Sequence, residues 1–191
     1  MPDVIEIRWH GRGGQGVVLA SRLLAKAAFY EGKWSQAFPF FGAERRGAPV
    51  MAFTRISSRP IRLRSQIYHP DVLVLVDPMF LDSSDVFEGL KAGATVVANT
   101  PKNPEELSVP EEVGRVATVD ATGLALRLGL KVAGLPVPNT AMVGAVAKAT
   151  GLADIGSIES AIRDTLSGKG VEVNLSAARE GFDTVRVWEP R

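Results

Sequence analysis

The chain has no cysteine among its 191 residues. That excludes disulfides, a thiol nucleophile and any cysteine-ligated iron–sulfur cluster or zinc held by this chain. Histidine is almost as scarce, with only His10 and His69, too few for a multi-histidine metal site. No apolar run approaches the ~18 residues of a membrane-spanning helix, and no basic-then-apolar leader opens the sequence. A cytoplasmic protein with no membrane partner is the expectation. The net charge is only +1, so bulk electrostatics supplies no pull toward nucleic acid. A nucleophile–base pair, a carboxylate dyad and a metal-ligand cluster are also missing. Residue chemistry therefore describes a binding component and not a self-sufficient catalyst.

What is present is an ordinary globular composition, 46% hydrophobic and 23% charged, long enough for a sizeable core. One domain over residues 1–191 is expected. The alternation of Val4, Ile5, Ile7 and Trp9 predicts a strand, followed by a helix over 17–29. Short strands are expected at 33–38, 95–99 and 116–119. Two more, at 50–56 and 61–66, read as a hairpin around Ser57-Ser58-Arg59-Pro60. The continuous run Val72-Leu-Val-Leu-Val76 has the pattern of a strand buried on both faces of a parallel sheet. Helices are expected at 80–90, 121–130, 139–149 (capped by Asn139), from Ser157 onward, and at 171–180 with Gly181 closing the last. Residues 101–112 read as a polar loop. The pattern predicts an α/β fold: a Rossmann-like mixed, mostly parallel sheet with helices on both sides and a helix-rich C-terminal third.

Between the first strand and its helix lie Gly11, Arg12, Gly13, Gly14, Gln15 and Gly16, with three glycines in G-x-G-x-x-G register. A strand that turns through glycines into a helix offers bare N–H groups and the positive end of the helix dipole to an anion. Arg12 and Gln15 add side-chain donors suited to phosphate or carboxylate. The same glycines would also serve tight strand–helix packing alone. A dinucleotide site further requires an acid at the end of the second strand, where Ala37-Phe38-Pro39-Phe40 stands instead. A nicotinamide dehydrogenase is therefore disfavoured.

From residue 44 to 64 the chain carries six arginines and one acid, Glu44. Arg45-Arg46, set among aromatics and glycine, forms a loop suited to a ligand or another subunit. For Arg55, Arg59, Arg62 and Arg64, solubility or subunit salt bridges explain the charge equally well. Asp77 ends the central apolar strand, where it reads both as a ligand group and as a helix cap. His10 reads as a satisfied structural histidine. Asn139 opens a helix that faces a ligand or is merely capped.

These segments together resemble the gamma subunit of the 2-oxoacid:ferredoxin oxidoreductases, in particular the pyruvate type, over nearly the whole chain. The resemblance is carried by residues 7–16, by Gln36-Ala-Phe-Pro-Phe-Phe-Gly-Ala-Glu-Arg-Arg-Gly-Ala-Pro-Val50 and by Ile61-Arg-Leu-Arg-Ser-Gln-Ile-Tyr-His-Pro-Asp71. Asn139-Thr-Ala-Met-Val-Gly-Ala145 and Val173-Asn-Leu-Ser-Ala-Ala-Arg-Glu-Gly-Phe182 complete it. The double arginine and Ala48-Pro49 follow the pyruvate and branched-chain (2-oxoisovalerate) types. The resemblance implies a non-redox subunit, inactive alone, in a complex that turns pyruvate, coenzyme A and oxidised ferredoxin into acetyl-CoA, carbon dioxide and reduced ferredoxin. It implies alpha, beta and delta partners that hold thiamine diphosphate, Mg and the iron–sulfur clusters, with ferredoxin reached through the complex. It makes Gly11, Arg12, Gly13, Gly14, Gln15 and Gly16 a seat for coenzyme A phosphates. It also makes Glu44, Arg45 and Arg46 a loop facing the ligand or the alpha/beta partner, with Asn139 counted among the cofactor-binding residues. Apolar partner surfaces would also let the isolated chain self-associate. The alternatives are the gamma subunit of the 2-oxoisovalerate enzyme and a free-standing nucleotide-binding module.

Overall fold

A computed structural model describes residues 4–40, 47–168 and 170–190. Seven strands form one sheet in the order β2-β3-β1-β4-β5-β6-β9. They are β1 (Val4–Arg12), β2 (Trp34–Phe40), β3 (Pro49–Ser57), β4 (Val72–Leu75), β5 (Ala94–Asn99), β6 (Val113–Val119) and β9 (Arg186–Trp188). β1, β4, β5 and β6 pair in parallel, while β3 runs antiparallel to both β1 and β2, and β9 antiparallel to β6. Five of the seven strands therefore share one direction, as the sequence pattern predicts. β4 is buried along its whole length, which accounts for its unbroken apolar run. Pro39 lies inside β2, not in a turn after it. An outermost strand tolerates a residue without N–H on its free edge.

The α-helices are α1 (Val17–Tyr30), α2 (Ala121–Arg127), α3 (Asn139–Thr150), α4 (Ile155–Thr165) and α5 (Gly170–Thr184). All five contribute to a single core against one face of the sheet, with Ile7, Trp9, Val74, Val97 and Ala117. The expected helices on both sides are not found. The opposite face, with Leu73, Leu75, Val96 and Val116, is covered by Phe80, Leu81, Val86, Phe87 and Leu107. Residues 80–90 form not one helix but two 3-10 turns, Pro78–Asp82 and Ser84–Phe87. Ser83 between them is extended, and the Asp-Ser-Ser-Asp run offers the backbone side-chain partners that compete with a helix.

Four further expectations are corrected. Residues 61–66 form no strand, and β3 pairs instead with β1 and β2. α4 starts at Ile155 after extended Asp154, ahead of Ser157. Pro138, not Asn139, occupies the cap position of α3. Gly181 does not close α5 but lies within it. The short hairpin β7 (Lys131–Val132) and β8 (Leu135–Pro136), and strand β9, were not expected. Among the described residues, no helix is long and apolar enough to cross a membrane.

The helical layer is packed at backbone distance. A Cβ on Gly144 of α3 would overlap the Ala178 carbonyl of α5, and a Cβ on Gly181 would overlap the Ala141 carbonyl of α3. Gly144→Ala and Gly181→Ala should each lower stability by about 1–3 kcal/mol through overpacking, measured by urea unfolding. An exposed control, Gly156→Ala, meets nothing within 4 Å and should leave the midpoint unchanged or raise it.

Candidate functional site

The glycine segment leaves the end of β1 and enters α1 as the motif requires. Gly11 is bare because a Cβ would overlap Val17 Cγ2 and lie 3.2 Å from Val76 Cβ. The chain then turns tightly, with the Gln15 N–H donating to the Arg12 carbonyl at 3.1 Å. Gly14 and Gly16 adopt φ of 99° and 76°, backbone that favours glycine. A Cβ at Gly16 would overlap the Asn139 side-chain amide, so the N-termini of α1 and α3 meet there.

α1 begins with no side-chain cap. Its first turn and the loop line a cavity of about 500 Å³, bounded by Gly13, Gly14, Gly16, Val17, Val18, Leu19 and Val50. Arg12 and the hairpin residues Val132 and Ala133 complete the wall. Two chemistries therefore share one hollow: uncapped N–H groups at a positive helix end and aliphatic walls. Ala133 holds a positive φ of 48° at the hairpin tip, strained backbone at the mouth of the hollow.

The side-chain donors expected to serve an anion are largely committed elsewhere. Asp77 is the reason. Its Oδ2 accepts Gln15 Nε2 at 2.6 Å and lies 3.5 Å from Arg12 Nε, while Oδ1 accepts the Met79 N–H at 3.0 Å. Gln15 Oε1 in turn accepts the Arg12 N–H at 2.7 Å. Arg12 Nη1 donates to the Gly47 carbonyl at 3.1 Å, and its guanidinium lies 5.7 Å from the Phe80 ring centre. The N–H of Gly13 is spent on the Ala48 carbonyl at 2.9 Å. Gln15 thus shapes the loop from outside, Arg12 is partly committed but still lines the hollow, and the backbone of Gly14, Gly16 and the first turn of α1 is left for a ligand.

Asn139 is buried and packs on Gly16, with its Oδ1 accepting the Thr140 N–H at 2.8 Å. It supports the loop from below. Glu44, Arg45 and Arg46 lie outside the described residues. Gly47, which follows them, donates its N–H to the Gly13 carbonyl at 3.2 Å. Sequence reasoning missed the hairpin wall, although Val132-Ala-Gly-Leu135 carries a glycine turn between apolar residues, the available signal.

On the opposite face of β1 a second hollow of about 510 Å³ is lined by Arg8, His10, Met51, Tyr68, His69, Asp85, Glu88 and Gly89. His10 is buried against Phe80, their ring centres 5.7 Å apart. Its Nε2 has no hydrogen-bond partner among the described residues, which corrects the expectation of a satisfied histidine. Burial, and secondly the Arg8 charge, push its pKa down to about 4. Arg8 Nη2 donates to the Val86 and Glu88 carbonyls, both at 2.8 Å. Among the described residues, no group of three or more metal-ligating side chains occurs.

With this geometry in view, the comparisons with known proteins are specific. A family model described as pyruvate ferredoxin/flavodoxin oxidoreductase matches residues 6–184. The chain is 55% identical over 188 residues to the pyruvate/ketoisovalerate oxidoreductases common subunit gamma of Thermococcus kodakarensis, covering 97% of this chain and 100% of that protein. It is 53% identical to pyruvate synthase subunit PorC of Methanocaldococcus jannaschii, over 94% of this chain and 96% of that one. A crystal structure of pyruvate oxidoreductase subunit PORC from Thermotoga maritima superposes with a TM-score of 0.81 at 38% identity, covering 98% of this chain and 99% of that one.

Two outcomes follow from the buried groups. Asp77→Ala should destabilise the fold by ~2–3 kcal/mol, because hydrogen bonds to a buried charged group are lost; Asp77→Asn, which keeps an acceptor, should cost less in the same urea titration. For His10 the folded pKa lies below the ordinary 6.5. Its contribution is therefore intact above pH 6.5 and is lost as pH falls toward 4, where the unfolded chain binds a proton that the folded chain refuses. The size is up to ~3 kcal/mol. Unfolding midpoints at pH 7 and pH 4.5 should therefore fall less steeply in His10→Gln.

Proposed function

Because the chain belongs to the pyruvate ferredoxin/flavodoxin oxidoreductase family, we propose that it serves as the gamma subunit of a thiamine diphosphate-dependent pyruvate:ferredoxin oxidoreductase. The complex turns pyruvate, coenzyme A and oxidised ferredoxin into acetyl-CoA, carbon dioxide and reduced ferredoxin. The carrying observation is identity above one half along essentially the full length of both this chain and gamma-type subunits. The chain has no cysteine, so electrons travel through cluster-bearing alpha, beta or delta partners. Thiamine diphosphate and Mg belong to those partners, and the assembly works in the cytoplasm.

Within it, this chain forms part of the coenzyme A side. The uncapped first turn of α1 suits a phosphate. The aliphatic walls of Val17, Val18, Leu19, Val50 and Val132 suit an uncharged arm of the same molecule. A second reading has the same chain serving a 2-oxoisovalerate enzyme as well. It is favoured by a relative named as common to pyruvate and ketoisovalerate oxidoreductases.

Reconstitution tests both readings. The chain alone should reduce no viologen. Added to alpha, beta and delta subunits, it should restore coenzyme A-dependent reduction with pyruvate; full activity without it would overturn the assignment. Val132→Trp, at a position 62% exposed on the cavity wall, should raise the KM for coenzyme A about tenfold, equivalent to ~1.4 kcal/mol, with kcat largely kept. An unchanged KM would remove coenzyme A from this hollow and leave the glycines a purely architectural role.

A further inference from the structure

Residues 61–67 carry the alternation of a strand, apolar at Ile61, Leu63 and Ile67, yet they pair with no strand among the described residues. Their attachment to the sheet is one-sided, because every anchoring bond uses a carbonyl. Ile61 O accepts Gln36 Nε2 at 3.3 Å, and Ser65 O and Gln66 O accept Arg55 Nη2 at 2.8 and 3.4 Å. The N–H groups of residues 61–66 have no hydrogen-bond partner among the described residues. Unused backbone donors therefore lie along a largely exposed strap.

The side chains add charge of one sign. Arg62 and Arg64 are exposed and form no ion pair among the described residues, and no acid occurs between Ser57 and Tyr68. Several other surface arginines are paired. Arg115, Arg127, Arg163 and Arg179 engage Glu189, Glu180, Glu172 and Glu159. Leu63, between the two free arginines, is 47% exposed.

We propose that residues 61–66 form a docking strand for an acidic, carbonyl-lined edge of a companion subunit in the oxidoreductase complex. Free N–H groups are available to backbone acceptors, arginines at alternate positions suit carboxylates on one face, and Leu63 would be covered on the other. That is β-augmentation with electrostatic selection. A second copy of this chain does not fit, since its strap would set arginine against arginine. The inference rests on membership of a multi-subunit enzyme and is independent of where coenzyme A binds.

Hydrogen exchange on the reconstituted complex provides the test. In the free chain the amides of residues 61–66 should exchange at nearly unprotected rates, and assembly should slow them at least about tenfold. Arg62→Glu/Arg64→Glu should keep the thermal midpoint of the free chain, weaken association with the companion subunits at least about tenfold, and flatten its salt dependence. A photo-crosslinker at position 63 should link to an Asp/Glu-rich peptide of a companion subunit. Unchanged exchange on assembly would overturn the proposal, as would a crosslink to a second copy of this chain. An equal loss from Arg22→Glu, an exposed control on α1, would reduce the effect to net charge and also overturn it.

Discussion

Backbone-distance packing through glycine is the constraint on which this structure depends. Gly11 lets the end of β1 lie against Val17 and Val76, and Gly16 lets α1 rest on the Asn139 side chain of α3. Gly144 and Gly181 let α3 and α5 cross at carbonyl contact. The helices that use these seams are correspondingly alanine-rich, with Ala20, Ala27 and Ala28 in α1 and Ala141, Ala145 and Ala147 in α3 fully or almost fully buried. Such an interior has little slack, because added methylenes in a close-packed layer force backbone to move. The candidate hollow is a product of this packing. It sits where β1, α1, the start of β3 and the β7–β8 hairpin converge, with the N-terminus of α3 just beneath.

The opposite face is organised by a different principle. There, irregular segments cannot satisfy their carbonyls through a strand ladder, and buried arginines do so instead. Arg55 is fully buried. It pairs with Glu6 at 2.9 Å, stacks 5.4 Å from the Phe38 ring centre and bonds the 65–66 carbonyls. Arg8 does the same for the 86–88 turn. Asp77 bridges the two regimes: it caps the turn that covers one face and clamps Gln15 and Arg12 of the loop that serves the other. The loop is thereby preorganised, which lowers the cost of binding there.

This arrangement suits one subunit of a multi-subunit oxidoreductase. The chain combines an uncapped helix end, an apolar wall and a basic strap that forms no ion pair at Arg62 or Arg64 among the described residues.

Much of the fold was legible in the sequence because its signals are local. The run Val72–Val76 marked the buried central strand, and glycine spacing placed the β1–α1 turn. Family membership was legible from segments spread over the chain. Where the reading failed, a distant partner had overridden a local preference. The alternation at 61–66 reads as a strand, but carbonyl bonds to Arg55 and Gln36 hold it as a strap. Gly181 reads as a helix stop, but α3 needs its missing Cβ. Gln15 reads as a ligand donor, but its Nε2 donates to Asp77, more than 60 residues away. The sequence by itself determined which elements form and where the chain turns, since propensity and periodicity act over a few residues. Only the tertiary structure decided which donors remain free, because hydrogen bonds are claimed by whichever group folding brings within bonding distance.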